Sequence, residues 1–200
     1  MKKFELTSEF VTFLGKKLFR IKALVSFGDV EEGELGGFIE RENNLDQSGD
    51  AWVYGNAQVY GDAQVSGNAR VCGDAWVSGN AWVYGNAQVY GDAWVSGNAW
   101  VCGDARVYGD ARVYGNAWVS GDARVQNCRD YSATSCFGSE NRTTTFFRTK
   151  DGGISVRCGC FYGTLAEFRE KVKERHGGRR LAKEYLMLAD LMEFRLSKDE

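Results

Sequence analysis

Residues 51–122 alternate small or hydrophobic residues with polar or aromatic ones, and the pattern repeats every six residues. Twelve consecutive hexads follow the form Ala-[Trp/Gln/Arg]-Val-[Tyr/Ser/Cys]-Gly-[Asn/Asp] without an insertion. Neighbouring residues of a strand point to opposite faces, so Ala and Val share one face while the second and fourth positions share the other. Gly followed by Asn or Asp favours a turn with positive φ. Each hexad is therefore predicted to be a short strand and a corner, stacked into a solenoid.

The hexads resemble those of the hexapeptide-repeat left-handed parallel β-helix proteins, in which three hexads complete one triangular coil. The resemblance implies four regular coils in residues 51–122. Residues 33–50 fit the repeat loosely, with Leu35 expected at a Val position and Leu45 at an Ala position. The predicted fold class is mainly β: a single-stranded left-handed parallel β-helix with an N-terminal β-hairpin cap and a small C-terminal α+β domain.

The segments on either side of the hexads predict caps that cover the open strand edges of the solenoid. Alternation in residues 4–7 and 18–23 predicts an N-terminal hairpin, and Asp151-Gly152-Gly153 predicts the turn of a later one. The capping box Thr164-Leu165-Ala166-Glu167 begins a helix that Gly177-Gly178 ends, and a second helical pattern follows. The predicted domains are an N-terminal β cap (1–32), the β-helix (33–128), a polar irregular linker (129–142) and a C-terminal α+β capping or oligomerisation domain (143–200).

Charge and hydropathy bear on the partners and the cellular location that the sequence predicts. The net charge of −2 gives no bulk electrostatic reason to expect nucleic acid or an anionic membrane as partner. No apolar run approaches the ~20 residues of a transmembrane helix, and Met1-Lys2-Lys3 does not lead into a signal-peptide core. A cytoplasmic protein without a membrane partner is expected, with six cysteines that are reduced and mostly buried.

Four cysteines outside the hexads form the pattern most suggestive of a metal site. Cys158 and Cys160 are expected on the same face of one strand, and Cys128 and Cys136 lie upstream. Four thiolates could hold Zn²⁺, but their spacing departs from the usual two to four residues between paired zinc ligands. The favoured interpretation is a buried face of a hairpin strand. No metal or other cofactor is predicted, and these four cysteines are the weak candidate ligands.

Acyl transfer is the enzymatic alternative that the hexapeptide resemblance raises. Many proteins of that group are trimeric acyltransferases, in which a His at the edge of a coil acts as general base beside an acyl-CoA cleft. The hexads here contain no His, and the single His of the chain, His176, lies at a predicted helix C-terminus. The helix dipole stabilises a His at that position. A non-enzymatic protein without catalytic residues is therefore predicted, with acyl transfer as the alternative.

The second position of each hexad faces outward, and residues eighteen apart are expected to stack into one column on each side of the triangle. Five of the six tryptophans then line two adjoining sides. Stacked aromatic residues stabilise a β-ladder, but exposed patches rich in Trp and Arg are also typical of interface hot spots. The predicted partner-binding surface comprises Trp76, Trp82, Trp94, Trp100, Trp118, Arg106 and Arg112.

Nucleic acid is a poor match for this surface. Aromatic and Arg columns can stack nucleotide bases, but residues 51–122 contain three arginines and six aspartates, a net charge of −3. A negative surface opposes phosphate binding. Direct binding of nucleic acid is therefore not expected.

The layout of the whole chain also resembles a group of uncharacterised phage and prophage proteins. The resemblance rests on Phe4–Thr7, Gly33–Glu40, the hexads and Cys160–Leu165. It implies a viral or mobile-element setting and carries no catalytic motif. The predicted function is a non-enzymatic phage protein, a homo-oligomer (dimer or trimer), that binds a host protein such as a defence nuclease as an anti-CRISPR-like inhibitor. A purely structural homo-oligomeric module is a further alternative.

Overall fold

The computed structural model of the protein describes residues 2–197. The N-terminal region forms β1 (Phe4–Phe13), β2 (Lys16–Ala23) and β3 (Leu35–Ile39), followed by a 3-10 helix (Glu42–Asn44). Thirteen two-residue strands follow, and these are β4 (Trp52–Val53), β5 (Gln58–Val59), β6 (Gln64–Val65), β7 (Arg70–Val71), β8 (Trp76–Val77), β9 (Trp82–Val83), β10 (Gln88–Val89), β11 (Trp94–Val95), β12 (Trp100–Val101), β13 (Arg106–Val107), β14 (Arg112–Val113), β15 (Trp118–Val119) and β16 (Arg124–Val125). The C-terminal region contains β17 (Tyr131–Phe137), β18 (Arg142–Arg148), β19 (Ile154–Cys158), β20 (Phe161–Thr164), α1 (Leu165–His176) and α2 (Arg180–Leu196).

The hexads form the predicted solenoid. Every Ala and Val of the twelve hexads is at most 1% exposed, because both positions point into one continuous core. The Gly of each hexad has a positive φ, for example 68° at Gly79, and makes the corner that a residue with a side chain would strain. Backbone bonds join each coil to the next, as where Trp76 N donates to Ala93 O at 2.9 Å. The mainly β fold with parallel strands is thereby confirmed.

Three parallel sheets form the sides of the solenoid. Side one has the strand order β4-β7-β10-β13-β16, side two has β5-β8-β11-β14, and side three has β6-β9-β12-β15. Neighbouring strands pair residues eighteen apart in register, as in Trp76 with Trp94. Three hexads therefore complete one coil, as the resemblance implied.

The N-terminal hairpin extends side two instead of forming a separate layer. β1 and β2 pair antiparallel, β2 pairs with β3, and β3 joins β5 in parallel register, with Ile39 beside Val59. The hairpin prediction is confirmed. The positions expected within residues 33–50 were wrong: Leu35 is 53% exposed, and the buried Leu45 bridges Val65 and so occupies a Val position. Ile39 points inward instead, beside Val59 on side two, because the pairing with β5 sets the register of β3.

A buried lysine closes the N-terminal end of the solenoid. Lys3 Nζ donates to the backbone carbonyls of Ser48, Gly49 and Ala51 at 3.4, 3.2 and 3.0 Å. Burial lowers the pKa of Lys3 from 10.5 to about 8, although the nearby carboxylates of Asp46 and Asp50 act in the opposite direction. The ammonium therefore satisfies carbonyls that have no coil above them, at the cost of its own hydration.

Lys3 is expected to make the free energy of unfolding rise with pH between about 8 and 10, and Lys3→Met removes this contribution. In that window the unfolded chain keeps the Lys3 proton while the folded chain has lost it, so stability gains up to about 1.4 kcal/mol per pH unit. Burial raises the pKa of the Cys72 thiol, which acts in the opposite direction from about pH 9 in both proteins. Above pH 10 the raised pKa of Tyr131, about 12 because of burial, reverses the trend. Urea unfolding at several pH values measures how the free energy of unfolding changes with pH, with Lys2→Met as the exposed control. If Lys3→Met had the same pH dependence as wild type, the titration could not be that of Lys3.

The predicted linker at 129–142 was wrong, because most of it is strand. β17 pairs antiparallel with β18, and the four-stranded sheet continues through β19 to β20. Residues 132–136 are Ser-Ala-Thr-Ser-Cys, and only Tyr131 of this strand is buried. A strand that is polar on both faces has no hydrophobic period to detect, and its pairing with β18 is what orders it.

The C-terminal sheet covers the last coil. Tyr131 and Phe147 are buried in the core of the solenoid, and Tyr131 Oη donates to Arg112 O at 2.6 Å. An antiparallel bridge between Ala123 and Thr149 joins the two regions. α1 begins at the predicted capping box, where Thr164 Oγ1 accepts from Glu167 N, and ends at Gly177. The small sheet and helical region is confirmed.

Neither α1 nor α2, the α-helices of the described part, has the length and apolar content of a membrane-spanning helix.

Candidate functional site

The outward residues stack in the three predicted columns. Side one carries Trp52, Arg70, Gln88, Arg106 and Arg124 in register. Side two carries Gln58, Trp76, Trp94 and Arg112. Side three carries Gln64, Trp82, Trp100 and Trp118. Sides two and three meet at one corner of the triangle, so their tryptophans form one surface.

The tryptophan ladder of side two is closed at both ends. The rings of Trp76 and Trp94 are 4.7 Å apart between centroids and only 7° from parallel. Phe13, from the tip of the N-terminal hairpin, meets Trp76 edge-on at 4.2 Å. The guanidinium of Arg112 lies 5.4 Å from the ring centroid of Trp94. Packing between aromatic rings and a cation fixes the orientation of both indoles.

The ladder of side three continues into the C-terminal region. Trp82 and Trp100 stack at 5.3 Å and 6°, whereas Trp118 is tilted by 59° against Trp100 at 5.0 Å. Arg157 places its guanidinium 3.7 Å from the centroid of Trp118. The indole N–H of Trp118 donates to the sulfur of Cys102 at 3.3 Å. Trp118 is therefore partly enclosed by its own chain, and the open part of the ladder is Trp82 and Trp100.

The stacking decides which part of each indole a ligand could reach. Parallel rings cover the faces of their neighbours, so the ladders present ring edges to water. Trp82 is 41% exposed and Trp94 is 40% exposed. At three of the four ladder ends Phe13, Arg112 or Arg157 takes the remaining face. Stacking of a nucleobase needs an open aromatic face. The surface is better suited to a broad apolar contact, such as the core of a protein interface.

The corner between the two ladders is uncharged in the middle coils. Asn80 Nδ2 donates to Asn98 Oδ1 at 3.0 Å, and Asn98 Nδ2 donates to Asn116 Oδ1 at 2.9 Å. Five of the six aspartates of the hexads lie on the other two corners. We call this surface the tryptophan corner, and it comprises Trp76, Ser78, Asn80, Trp82, Trp94, Ser96, Asn98 and Trp100. It combines apolar edges with neutral hydrogen-bonding groups, as interface cores do.

The seven predicted surface residues do not all belong to this corner. Arg106 lies on side one, where its neighbours in register are Gln88 and Arg124, away from both ladders. Arg112 closes the side-two ladder, and Trp118 is partly covered as described above. Arg106 is therefore an exposed residue at the same hexad position that can serve as a control.

Trp52 shows what happens when a column is covered. It occupies the same hexad position as the five other tryptophans of the repeats, yet it is fully buried. Phe4 and Phe27 of the N-terminal region pack edge-on against it at 6.2 and 5.4 Å between centroids. Part of this chain thus already provides a cover for one outward tryptophan, and its contacts are aromatic.

His176 lies outside the solenoid, beside a cavity of about 360 Å³ in the C-terminal region. Its ring stacks on Tyr185 with 5.7 Å between centroids. The cavity is also lined by Phe161, Phe168, Arg142 and Arg175. Its volume is at the lower end of small-molecule sites. The single His is therefore far from the hexads in sequence and packs as part of the cap.

The expectation for the cysteines was partly wrong. Cys128, Cys136 and Cys160 are exposed, so the thiols are not mostly buried. Cys158 ends β19, and Gly159 has a φ of 58° in the turn that follows, so Cys158 and Cys160 do not share a strand face. Residues 2–197 contain no group of three or more His, Cys, Asp or Glu side chains that could hold a metal ion. Within the described residues these four cysteines are therefore not gathered into one group of ligands.

Some residues of this surface were not predicted from the sequence. Asn80, Asn98 and Asn116 recur every eighteen residues, so the period that places the tryptophans in columns also places these asparagines in one column. Phe13 and Arg157 carry no such signal. They reach the ladders only because the hairpin tip and β19 lie beside the solenoid.

Comparison with known families agrees with the architecture. The family model described as YdcK Beta solenoid repeat matches residues 63–79, 69–85, 87–103 and 105–121. All four matches lie within the hexads, so they support a β-solenoid repeat protein. No curated protein matches the chain.

Proposed function

We propose that this chain is a non-enzymatic β-solenoid that binds a protein of a host cell through the tryptophan corner. The observation that carries the proposal is the pair of tryptophan ladders on adjoining sides. They hold large aromatic edges in water around an uncharged corner. Large rigid aromatic residues in a contiguous patch are typical of hot spots in protein interfaces.

The order already present in the surface favours tight binding. Stacking holds the rings of Trp76 and Trp94 parallel, and backbone bonds between coils fix the strands beneath them. A partner therefore immobilises little that is not already fixed, which reduces the entropic cost of association. The corner asparagines are exposed, so they can bond to a partner or to interfacial water.

Chemistry favours a protein partner over nucleic acid. The hexads carry a net charge of −3, and three of the four ladder ends have no free aromatic face. A phosphate backbone would meet repulsion, and a base would lack a stacking platform. A protein surface with apolar and neutral polar groups meets neither obstacle.

The resemblance of the layout to phage and prophage proteins supports a host protein as the partner and an anti-defence role, such as inhibition of a CRISPR nuclease in the host cytoplasm. The residue types of the hexads support a non-enzymatic protein over an acyltransferase, because the hexads include no His, Glu or Lys. Acyl transfer in the hexapeptide manner needs a general base at the edge of a coil.

The double variant Trp82→Gln/Trp94→Gln is expected to bind the partner about 30-fold or more weakly than wild type. A loss of this size is typical of removing one strong hot-spot residue. Gln is already present at the same hexad position in Gln58 and Gln88, so the change removes aromatic edges without opposing the fold. Wild type and variant are compared by affinity purification from host cells with mass spectrometry, then by calorimetry with the purified partner. If the partner is a defence nuclease, wild type should also block its cleavage.

The matched control is Arg106→Gln, an exposed change at the same hexad position on side one. It should bind like wild type. Two results would contradict the proposal: equal binding by the double variant and wild type, or equal losses in the double variant and the control. Recovery of no partner by the wild type would instead favour a purely structural module.

A further inference from the structure

Helix α2 carries apolar residues on two opposite faces. The buried face packs against β18 and α1 and comprises Ala182, Tyr185, Leu188, Ala189, Met192 and Leu196. On the other side Met187, Leu191 and Phe194 are 71%, 57% and 85% exposed. A helix at a protein surface needs one apolar stripe, the one that faces its core. The second one, Met187, Leu191 and Phe194, we call the α2 stripe.

The α2 stripe is continuous. Its residues lie at positions i, i+4 and i+7, so they fall within about 60° of one another around the helix and span about 10 Å along it. Three large apolar side chains next to one another on one exposed face form a contiguous patch, and such patches mark contact sites. Contact with another apolar surface would remove them from water.

We infer that the α2 stripe is a dimer interface, in which it pairs antiparallel with the α2 stripe of a second copy of this chain. The charges at its two ends support this partner. Glu184 and Arg195 lie on the same flank of the stripe, within about 20° of each other around the helix and about 16 Å apart along it. The stripe thus carries a negative charge near its start and a positive charge near its end.

A twofold axis turns this arrangement into a complementary one. In an antiparallel pair centred near residue 190, each flank meets the same flank of the other copy in reverse order. Glu184 of one copy then lies opposite Arg195 of the other, and the pair occurs twice. Met187 and Phe194 approach each other across the axis, with Leu191 near the centre. An isologous contact needs this kind of self-complementarity.

The contacts within the chain leave this flank available. Glu184 pairs with Arg180 at 2.9 Å on the surface of the same helix, and an exposed pair of this kind is worth little. Asp190 is bound by Arg169 at 2.6 Å, and it lies on the opposite flank of the stripe. This inference does not rest on the proposed function, because none of these residues belongs to the tryptophan corner.

Light scattering coupled to size exclusion, over a range of micromolar concentrations, tests the inference on the full chain. Wild type is expected to be a dimer. Leu191→Glu should raise the dissociation constant of the dimer about 100-fold or more, because it would bury a charge at the centre of the interface. Glu184→Arg and Arg195→Glu should each raise it about tenfold or more, because each places two like-charged pairs in the interface. Circular dichroism confirms that every variant is folded.

The two charge variants then distinguish a second copy from any other partner. An equimolar mixture of Glu184→Arg and Arg195→Glu is expected to form a dimer of one copy of each, since both pairs become complementary again. Arg106→Glu, the same change on side one of the solenoid, should dimerise like wild type. A monomeric wild type, a dimer that Leu191→Glu leaves intact, or a mixture of charge variants that stays monomeric would overturn the inference. So would a stripe that binds only a different protein.

Discussion

Trp52→Ala is expected to lower the free energy of unfolding by about 3–5 kcal/mol, and Trp94→Ala by only about 1–2 kcal/mol. Both residues occupy the second position of a hexad. Trp52 is fully buried between Phe4 and Phe27, so its loss leaves a cavity beneath the N-terminal cap. Trp94 is 40% exposed and loses its stack on Trp76, but water can fill the space.

Urea unfolding followed by circular dichroism measures both losses. Trp52→Phe serves as a further variant, because it keeps an aromatic ring against Phe4 and Phe27 and should recover part of the stability. Equal losses from Trp52→Ala and Trp94→Ala would mean that the cap does not enclose Trp52 as described.

Gly79→Ala is expected to cost about 2–5 kcal/mol, against about 1–2 kcal/mol for Gly115→Ala. Both glycines lie in the same corner column, with φ of 68° and 71°, so both changes force a side chain into left-handed backbone. A Cβ at Gly79 would also lie 2.9 Å from the carbonyl oxygen of Gly97 in the next coil. A Cβ at Gly115 would meet nothing within 4 Å, because no coil follows at that corner.

Thermal and urea unfolding of the two glycine variants give the comparison directly, since conformational strain is common to both and only the contact with the next coil differs. The difference between them measures how closely the coils are stacked. Equal destabilisation would show that the coils yield at the corners without appreciable cost.

The solenoid was predictable from the hexads because each position has a single physical requirement that does not depend on distant residues. Ala and Val must fit a narrow core, and Gly must adopt a positive φ at the corner. The period of eighteen then places Trp76 beside Trp94 and Trp82 beside Trp100 without further information. For the same reason the ladders, which form most of the candidate site, were also predictable.

The end regions were predictable only where local chemistry was strong. The capping box at Thr164 and the turn at Asp151-Gly152-Gly153 define their elements within a few residues. The strand Tyr131–Phe137 was missed, because polar residues occupy both of its faces and its partner β18 determines its conformation. The turn at Gly159 was missed because a single Gly between two cysteines is also compatible with a continuous strand.

The strict six-residue period is enough to predict a β-solenoid whose sides carry stacked tryptophans, because it places Ala and Val on the inner face of every strand. Which tryptophans remain accessible depends on how the end regions pack against the solenoid. Trp52 and Trp94 have the same place in the repeat, yet the N-terminal cap buries one and leaves the other in water. The exposed side of α2 was likewise decided by packing, since a helical pattern shows that Met187, Leu191 and Phe194 share a face but not which face the rest of the chain covers.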